Sequence, residues 1–567
     1  MGSQMKQFLV KLQSAQPLLL SLLISLGFIW SLFVPGFFKM HDFTHVARLV
    51  ELDTAIQDGH IPPRWSKHLG YGFGMPLFHY YGPLPFYLAW VPFMLGVSAV
   101  DSIKIMIAVL HLVGVVGMYC WVERRYGKLS ASVSAVAFAF LPYRALDLFV
   151  RGALNELFAI SLLPWIFWSI DWLDERVNLR RIVFVSLIGA AFFTTHNLSV
   201  LISAPFILIY AVLRWVSQGR SFSLLRAFFF SAMLAVGLAS FYLFPSFLEK
   251  DLTQVDALTS GYGQYEFHFL YLRQFIWGDW EYGGSVLGPE DGMNFMIGIP
   301  QLVLSFFAVV FSLGKIRKLS REKRGFHIEW EQLFFLSVLG ISIILATFRS
   351  QPFWDLVPFM RYFQFPWRFH VLISVATPLL AGYVVSVFPK SWGKARFALF
   401  TIMAILAFNV WYARPEEFLS PQSSFYYTDP AEISIRMSGI LPDYLPLAMR
   451  DRPEPTTERV VLNPPDAGEF DLEVNRTQEL LVRTNLDREA RLTFQVVYFP
   501  SWTLFLNGDR VKPIIDPSTG AQSIDLPSGR SVVSLSLEPS PIRVVSDAVT
   551  VISMIYAIGV LLYVRTK

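Results

Sequence analysis

The apolar residues of this chain arrive in blocks about twenty long, the length a helix needs to cross the hydrocarbon core of a bilayer. Such blocks fall near 17–35, 102–121, 131–146, 156–173, 181–195, 197–213, 226–246, 295–313, 331–348, 370–388, 396–412 and 545–564. They predict about twelve spans. Charged residues make up only 16% of the 567, against 54% hydrophobic, whereas soluble domains carry roughly 25% charge. The surface therefore cannot face water throughout. The single cysteine, Cys120, lies inside an apolar run, which leaves no disulfide framework and no cysteine metal site. Residues 17–35 follow Lys6 and Lys11 without a small-x-small cleavage site, so they read as an uncleaved first span.

The loops between the blocks alternate in character. ERRYGK (123–128), DERVNLRR (174–181), the segment carrying Arg214, Arg220 and Arg226, GKIRKLSREKRG (314–325), PKSWGKAR (389–396) and the tail RTK are basic. Basic loops stay in the cytoplasm, which puts both termini inside. The segments 36–101, 248–294, 349–369 and 413–544 then lie outside.

Beyond about Arg414 the apolar period shortens to two. Leu492, Phe494 and Val496 alternate with Arg491, Thr493 and Gln495, and Val533, Leu535 and Leu537 with Ser534, Ser536 and Glu538. That is the pattern of half-buried antiparallel strands. Asn507-Gly508, between WTLFL and RVKPII, is a two-residue hairpin signal. About seven strands predict a small β-sandwich. The expected fold is mainly α: a polytopic helical membrane bundle over 1–412, an extracytoplasmic β-rich domain over 413–544, and a final span with a cytoplasmic tail over 545–567.

Long ordered loops are usually functional, and the first outer loop is long. It opens on Asp42, His45 and Arg48, runs helically to Asp58-Gly59, passes through Pro62-Pro63-Arg64-Trp65, and re-enters in a helix near 84–96. Asp42, His45 and Asp53 share one helix side with Leu49 and Ile56.

The pattern D-x-x-H-x-x-R (42–48), D-G-x-x-P-P-R-W (58–65) and G-Y-G-F-G-x-P-L-F-x-Y-Y-G-P-L-P-F-Y (70–87) resembles a family of bacterial multi-spanning proteins. That family is grouped with the GT-C glycosyltransferases, and part of it is labelled 6-pyruvoyl-tetrahydropterin synthase-related. The likeness continues in order through LFVRGALNE (148–156), TTHNLS (194–199), PSFLEK (245–250), FQFPWRF (363–369), PDYLP (442–446) and YFPSW (498–502). The resemblance implies a plasma-membrane transferase that takes sugar from a polyprenyl-phosphate donor at the outer face. The acceptor would be a glycan, lipid or protein of the envelope. It also implies that Asp42 matches the active-site acid at the start of the first outer loop.

Chemistry gives the outer polar residues matching tasks. Moving a sugar to a hydroxyl needs a base within reach of the departing proton, and Asp42 supplies a carboxylate. The leaving phosphate needs fixed positive charge, which a guanidinium fork provides. Arg48, Arg64, Arg144, Arg151, Arg361 and Arg368 are the candidates, with His45, Glu156, His196 and Tyr444 as further substrate contacts. Asp42 and His45 could together bind a divalent cation, although two ligands do not make a metal site. Each residue also has a structural role open to it. Asp42 can cap the loop helix, Arg144 and Arg151 can pair with Asp147 and Glu156, Arg368 can anchor at the interface, and His196 can close a turn.

No GxxxxGK[ST], GxGxxG or GxSxG stands in the chain, and the basic loops are already explained by orientation, leaving nucleic-acid binding without support. Two other readings remain. A transporter or flippase of lipid-linked sugar predicts paired broken segments near mid-membrane, whereas the ionisable residues here cluster at the outer boundary. A non-enzymatic envelope-glycan assembly factor would leave the boundary acid and arginines without a task. The orientation has a direct check: a cysteine placed at Ser518 reacts with a membrane-impermeant thiol reagent on intact cells, and one at Ser320 does not. The reverse labelling would overturn it.

Overall fold

The computed structural model describes residues 15–321, 330–389, 393–437 and 442–563. Lys6, Lys11, the basic stretch 322–329, Lys390 and the tail Arg565–Lys567 lie outside them. Among the described residues, nine helices are long and apolar enough to span: Ala15–Phe33, Ala99–Tyr126, Leu154–Glu175, Asn197–Ser217, Phe222–Leu248, Ile299–Arg317, Pro366–Val387, Lys394–Tyr412 and Pro541–Tyr563. A tenth forms if Lys128–Ala139 and Pro142–Arg151, bent by 41° at their break, count together.

The expected dozen is reduced for identifiable reasons. The 181–195 block forms the 15-residue helix Leu179–Phe193, about 22 Å long against a core of about 30 Å. The 331–348 block forms the 17-residue helix Trp330–Ala346, which is also short. The 131–146 block breaks because Pro142 forces Leu141 into an extended conformation (φ −68°, ψ 131°).

Small residues let the helices approach. A Cβ on Gly117 would stand 2.6 Å from the Trp165 indole nitrogen, and one on Gly237 would stand 2.4 Å from the Ser553 hydroxyl. At the latter contact Ser240 donates to the Ser546 carbonyl at 2.8 Å, docking the final helix on Phe222–Leu248. At the end of the bundle away from the strands, Arg125 pairs with Asp171 and Glu331, and the Tyr210 hydroxyl lies 2.9 Å from each of the same two carboxylates, able to donate to one at a time. Trp121 donates to Asp171 at 2.9 Å. These paired charges tie four helices together.

The strands occupy Val460–Leu537 and form two antiparallel sheets. One has the order β1-β4-β8-β7 (Val460–Asn463, Ala490–Val497, Ala521–Leu526, Ile514–Ile515), the other β2-β3-β9-β5-β6 (Gly468–Asn475, Glu479–Leu486, Gly529–Leu537, Trp502–Leu506, Asp509–Val511). Nine strands thus stand where about seven were expected. Leu492, Phe494, Val496, Val533 and Leu535 are buried as their alternation requires. Asn507 and Gly508 take φ +53° and +93°, and the Asn507 side chain accepts the Val532 N–H at 2.8 Å. Residues 413–437 and 442–459 precede the sheets as short helices such as Pro430–Arg436 and irregular chain.

The loop 36–101 is packed against the sheets. Lys67 donates to the Asn475 carbonyl at 2.7 Å, Arg459 to the carbonyls of Lys67 and Gly72 at 3.2 Å, and the Thr477 N–H to Asp58 at 2.6 Å. At Gly72 (φ +82°) a Cβ would lie 1.8 Å from the Thr456 carbonyl oxygen, so only glycine permits the approach. The final helix is fixed to the same region. Arg543 lies 3.2 Å from Glu249, which also accepts from Ser540 and has His79 at 2.8 Å. Arg64 pairs with Asp547 at 2.6 Å. Arg543→Met should lower stability by about 3–5 kcal/mol by leaving the Glu249 charge buried without its guanidinium. The melting temperature in detergent reports this, and an unchanged value would mean that the pair is not holding the final helix.

Candidate functional site

The first loop reaches its position through backbone pairing. The His41 N–H donates to the Val150 carbonyl at 2.8 Å and the Asp42 N–H to the Arg151 carbonyl at 3.0 Å. The acceptors lie on a π-helical turn, Leu146–Arg151, a wide turn common at functional sites. Gly152 follows it at φ +65°, where a Cβ would stand 2.8 Å from the Asp42 carbonyl oxygen.

On that support the helix His45–Gln57 assembles a compact charged group. Arg48 grips Asp42 with both arms of its fork, Nη2 to Oδ1 at 2.8 Å and Nη1 to Oδ2 at 2.9 Å. Thr44 donates to Asp42 Oδ1 at 2.8 Å. Arg48 also donates to the Tyr81 hydroxyl at 2.9 Å and lies over that ring, 4.5 Å from its centre. His45 Nε2 is 2.6 Å from the Gly152 carbonyl and its Nδ1 3.3 Å from Arg48. This assigns the hydrogen to Nε2, which donates to Gly152, and makes Nδ1 the acceptor.

Burial raises the Asp42 carboxyl, but the charges of Arg48 and His45 and the hydrogen bonds from Arg48 and Thr44 outweigh it and hold the group at about 2. Burial pulls His45 down to about 4 against the attraction of Asp42, so it is neutral at pH 7. Asp42 nonetheless keeps 22% of its side chain exposed. It accepts three hydrogen bonds of the roughly four a carboxylate can take.

A second polar group adjoins the first. Arg151 pairs with Asp147 and reaches Glu156 at 3.1 and 3.2 Å, while its guanidinium lies over Trp367 at 4.4 Å. The Tyr143 hydroxyl donates to Glu156 at 2.5 Å. Arg368 Nε lies 3.6 Å from Glu156, and Nη1 donates to the Phe363 carbonyl at 2.8 Å and Gln364 at 2.9 Å. His196, through Nδ1, accepts the Ser199 N–H at 3.3 Å at the start of its helix, and Glu156 acts on it electrostatically. Tyr444 stands edge-on to Tyr81, 6.0 Å between ring centres.

Asp42, His45, Arg48, Arg151, Glu156, His196, Arg368 and Tyr444 are therefore brought together. Three other candidates are held elsewhere. Arg64 is turned to Asp547 and the Phe241 carbonyl. Arg144 is buried in the bundle, 3.2 Å from His111 and over Phe138. Arg361 stacks on Tyr362 at 5.0 Å. As for a divalent cation, Asp42 is already gripped by a guanidinium and His45 Nε2 is engaged with a carbonyl. Among the described residues no group of three metal-type ligands stands together, so the site does not fit such an ion. Tyr81, Tyr143 and Asp443 join the site without having been singled out as candidates, although Tyr81 and Asp443 lay inside the 70–87 and PDYLP motifs; Asp147 is there as the partner expected for Arg151.

A cavity of about 430 Å³ lies beside this group rather than within it. Met40, His41 and Phe43, on either side of Asp42, line it with Phe149, Val150 and Tyr427.

Residues 78–414 match a family described as "6-pyruvoyl-tetrahydropterin synthase related domain; membrane protein". A protein of Lactococcus lactis subsp. cremoris (strain MG1363), named as uncharacterized, is 22% identical over 220 residues, 37% of this chain and 36% of its own length. The chain thus spans about a third of that relative. Among solved structures it is similar to the mycobacterial arabinofuranosyltransferase AftD (14% identity, TM-score 0.44, covering 73% of this chain and 27% of that one). It is also similar to the Archaeoglobus fulgidus oligosaccharyltransferase (13% identity, TM-score 0.43, covering 79% and 60%).

The Gly152 approach gives a test of the site's geometry. Gly152→Ala places a methyl against the Asp42 backbone at a positive φ and should lower stability by about 1–3 kcal/mol. The melting temperature of the purified variant checks this, with a wild-type value counting against the close approach.

Proposed function

The chain belongs to the 6-pyruvoyl-tetrahydropterin synthase related family of membrane proteins, and from there we propose that it is a glycosyltransferase using a polyprenyl-phosphate-linked sugar. The acceptor is a hydroxyl of a glycan, lipid or protein, and transfer takes place at the extracytoplasmic face of the plasma membrane. Both termini are cytoplasmic in this reading, and the sheets, with 413–544 as their domain, lie outside. The alternating basic loops support that orientation, and the ordered run of motifs from Asp42 to Trp502 supports the activity.

The observation that carries the reading is the adjacency of the two charged groups. A partly exposed carboxylate, Asp42, is stitched by its own N–H to the Arg151 carbonyl at 3.0 Å, and Arg151 shares Glu156 with a second guanidinium that is incompletely used. Arg368 commits Nη1 to hydrogen bonds and leaves Nε without one among the described residues. Asp42 takes the acceptor hydroxyl as its fourth hydrogen bond and orients an oxygen lone pair on the anomeric carbon. Arg368 receives the phosphate as negative charge gathers there. Arg48 and Arg151, both engaged with carboxylates, fix the two groups in place. The transfer is a single displacement that inverts the anomeric carbon.

A flippase reading would also need lipid and sugar contacts, but it gives the fixed Asp42 charge no task. Asp42→Asn keeps shape but removes that charge, and turnover should fall about 10²–10³-fold with donor affinity retained. Arg368→Lys keeps charge but loses the planar fork, so donor affinity falls as well. Glycan profiles of cells carrying each variant, with turnover and donor binding on purified protein, provide the check. An unchanged product from Asp42→Ala cells ends the enzyme reading.

A further inference from the structure

A second carboxyl group lies close to the Asp42 site, on the chain that leads into the sheets. Pro442–Tyr444 form a single 3₁₀ turn, and the segment after Glu249 holds the chain that follows it. The Gln254 N–H donates to the Leu445 carbonyl at 3.0 Å and the Leu447 N–H to the Leu252 carbonyl at 3.2 Å. The Gln254 side chain donates to the Pro446 carbonyl at 3.3 Å. Tyr444 then packs against Tyr80 and Tyr81, and Tyr81 is the ring on which Arg48 rests. The turn is thereby fixed over the site.

Asp443 is 8% exposed. It makes no ion pair with any described residue, unlike Asp42, Asp147 and Glu156. The charged groups that act on it come from both halves of the site: Arg48 and Asp42 from the first loop, and Arg368 from the second group. Asp443 in turn acts electrostatically on the hydroxyls of Tyr81 and Tyr444, the rings that pack against each other beside it. A carboxyl under the influence of Arg48 and Arg368 together stands near the gap where acceptor and donor phosphate would meet.

The two aspartates differ in what they can do with a proton. Asp42, held by the Arg48 fork at about 2, is always charged and a weak base. Burial raises Asp443 to about 6, against the opposing pull of its own backbone N–H and of Arg48 and Arg368. A general base works best with a pKa near the operating pH, and two carboxyls driven apart in this way divide such roles.

We propose that Asp443 is the proton acceptor of the reaction, with Asp42 the fixed charge that holds the acceptor hydroxyl. This rests on the glycosyl-transfer reading and assigns the proton within it. The acceptor O–H bond breaks as its oxygen forms the bond to the anomeric carbon. The bond from that carbon to the phosphate oxygen breaks with its electron pair on the phosphate. The proton passes to an Asp443 oxygen, directly or through one water, and then to solvent.

The test uses the full chain in lipid nanodiscs with a panel of pentosyl- and hexosyl-phosphopolyprenols. Water and a simple alcohol serve as acceptors, and release of polyprenyl phosphate is followed across pH. Wild type should show an acid limb near pH 6, activity falling as pH drops because the base becomes protonated. Asp443→Asn should lose about 10²–10⁴-fold and lose the limb, whereas Asp443→Glu should keep a limb and recover part of the rate. Asp42→Asn should be slow yet retain the limb, which separates the two roles. Melting temperatures show that each variant is folded; if Asp443→Asn is not, the Glu variant and the Asp42→Asn limb decide. A folded Asp443→Asn with near-normal rate or with the wild-type limb intact, or a folded Asp443→Glu that recovers no rate, overturns the proposal while leaving glycosyl transfer standing. A wild-type chain inert toward the whole panel overturns the transfer reading and this assignment with it.

Discussion

Two backbone hydrogen bonds, from His41 to Val150 and from Asp42 to Arg151, hold the arrangement on which the candidate site depends. They are main-chain bonds, so they place the first loop through the backbone itself, with the side-chain-free Gly152 leaving room for the approach. They also satisfy polar groups next to an apolar bundle, where an unpaired amide is costly. With that join made, the Arg48 fork, the His45 imidazole and the exposed edge of Asp42 all acquire fixed directions. The second group, around Glu156, lies across the same π-helical turn, so one element of the bundle orients both.

Much of the fold was legible because the bilayer restricts the solutions. Apolar blocks became helices, and the alternating segments at 490–497 and 531–537 became strands with their predicted faces inward. The span count was overestimated where composition looked apolar but length fell short, as at Leu179–Phe193. Within the site, Asp42, His45 and Arg48 were readable because they are local: His45 and Arg48 are one turn apart on a helix. The remaining arginines were not separable by spacing. Arg144 and Arg151 are seven residues apart, two turns of a regular helix and hence the same face. The wide turn from Leu146 changes that phase, sending Arg144 toward His111 and Arg151 toward Glu156. Arg64 is claimed by Asp547, a partner no local pattern could name.

The sheets bear on the site through the first loop. Lys67, Gly72, Tyr71 and Phe73 give or receive hydrogen bonds with residues between 456 and 497. Trp65 packs against Phe499 and Trp502. The helix carrying His45 and Arg48 is thus braced at one end by the bundle and at the other by the sheets. Loops that bear functional groups gain precision from such rigid supports.

The Arg64–Asp547 pair joins residues 483 positions apart. Translation adds about 5–20 residues per second, so Arg64 leaves the ribosome roughly 25–100 s before its partner exists. Glu249 likewise waits for Arg543. During that interval the growing chain carries unmatched charges at the edge of an apolar bundle, and insertion of the last helix neutralises them together. Completion of the chain is thereby coupled to closure of its charged interior, because a chain that stops before residue 541 lacks both Asp547 for Arg64 and Arg543 for Glu249.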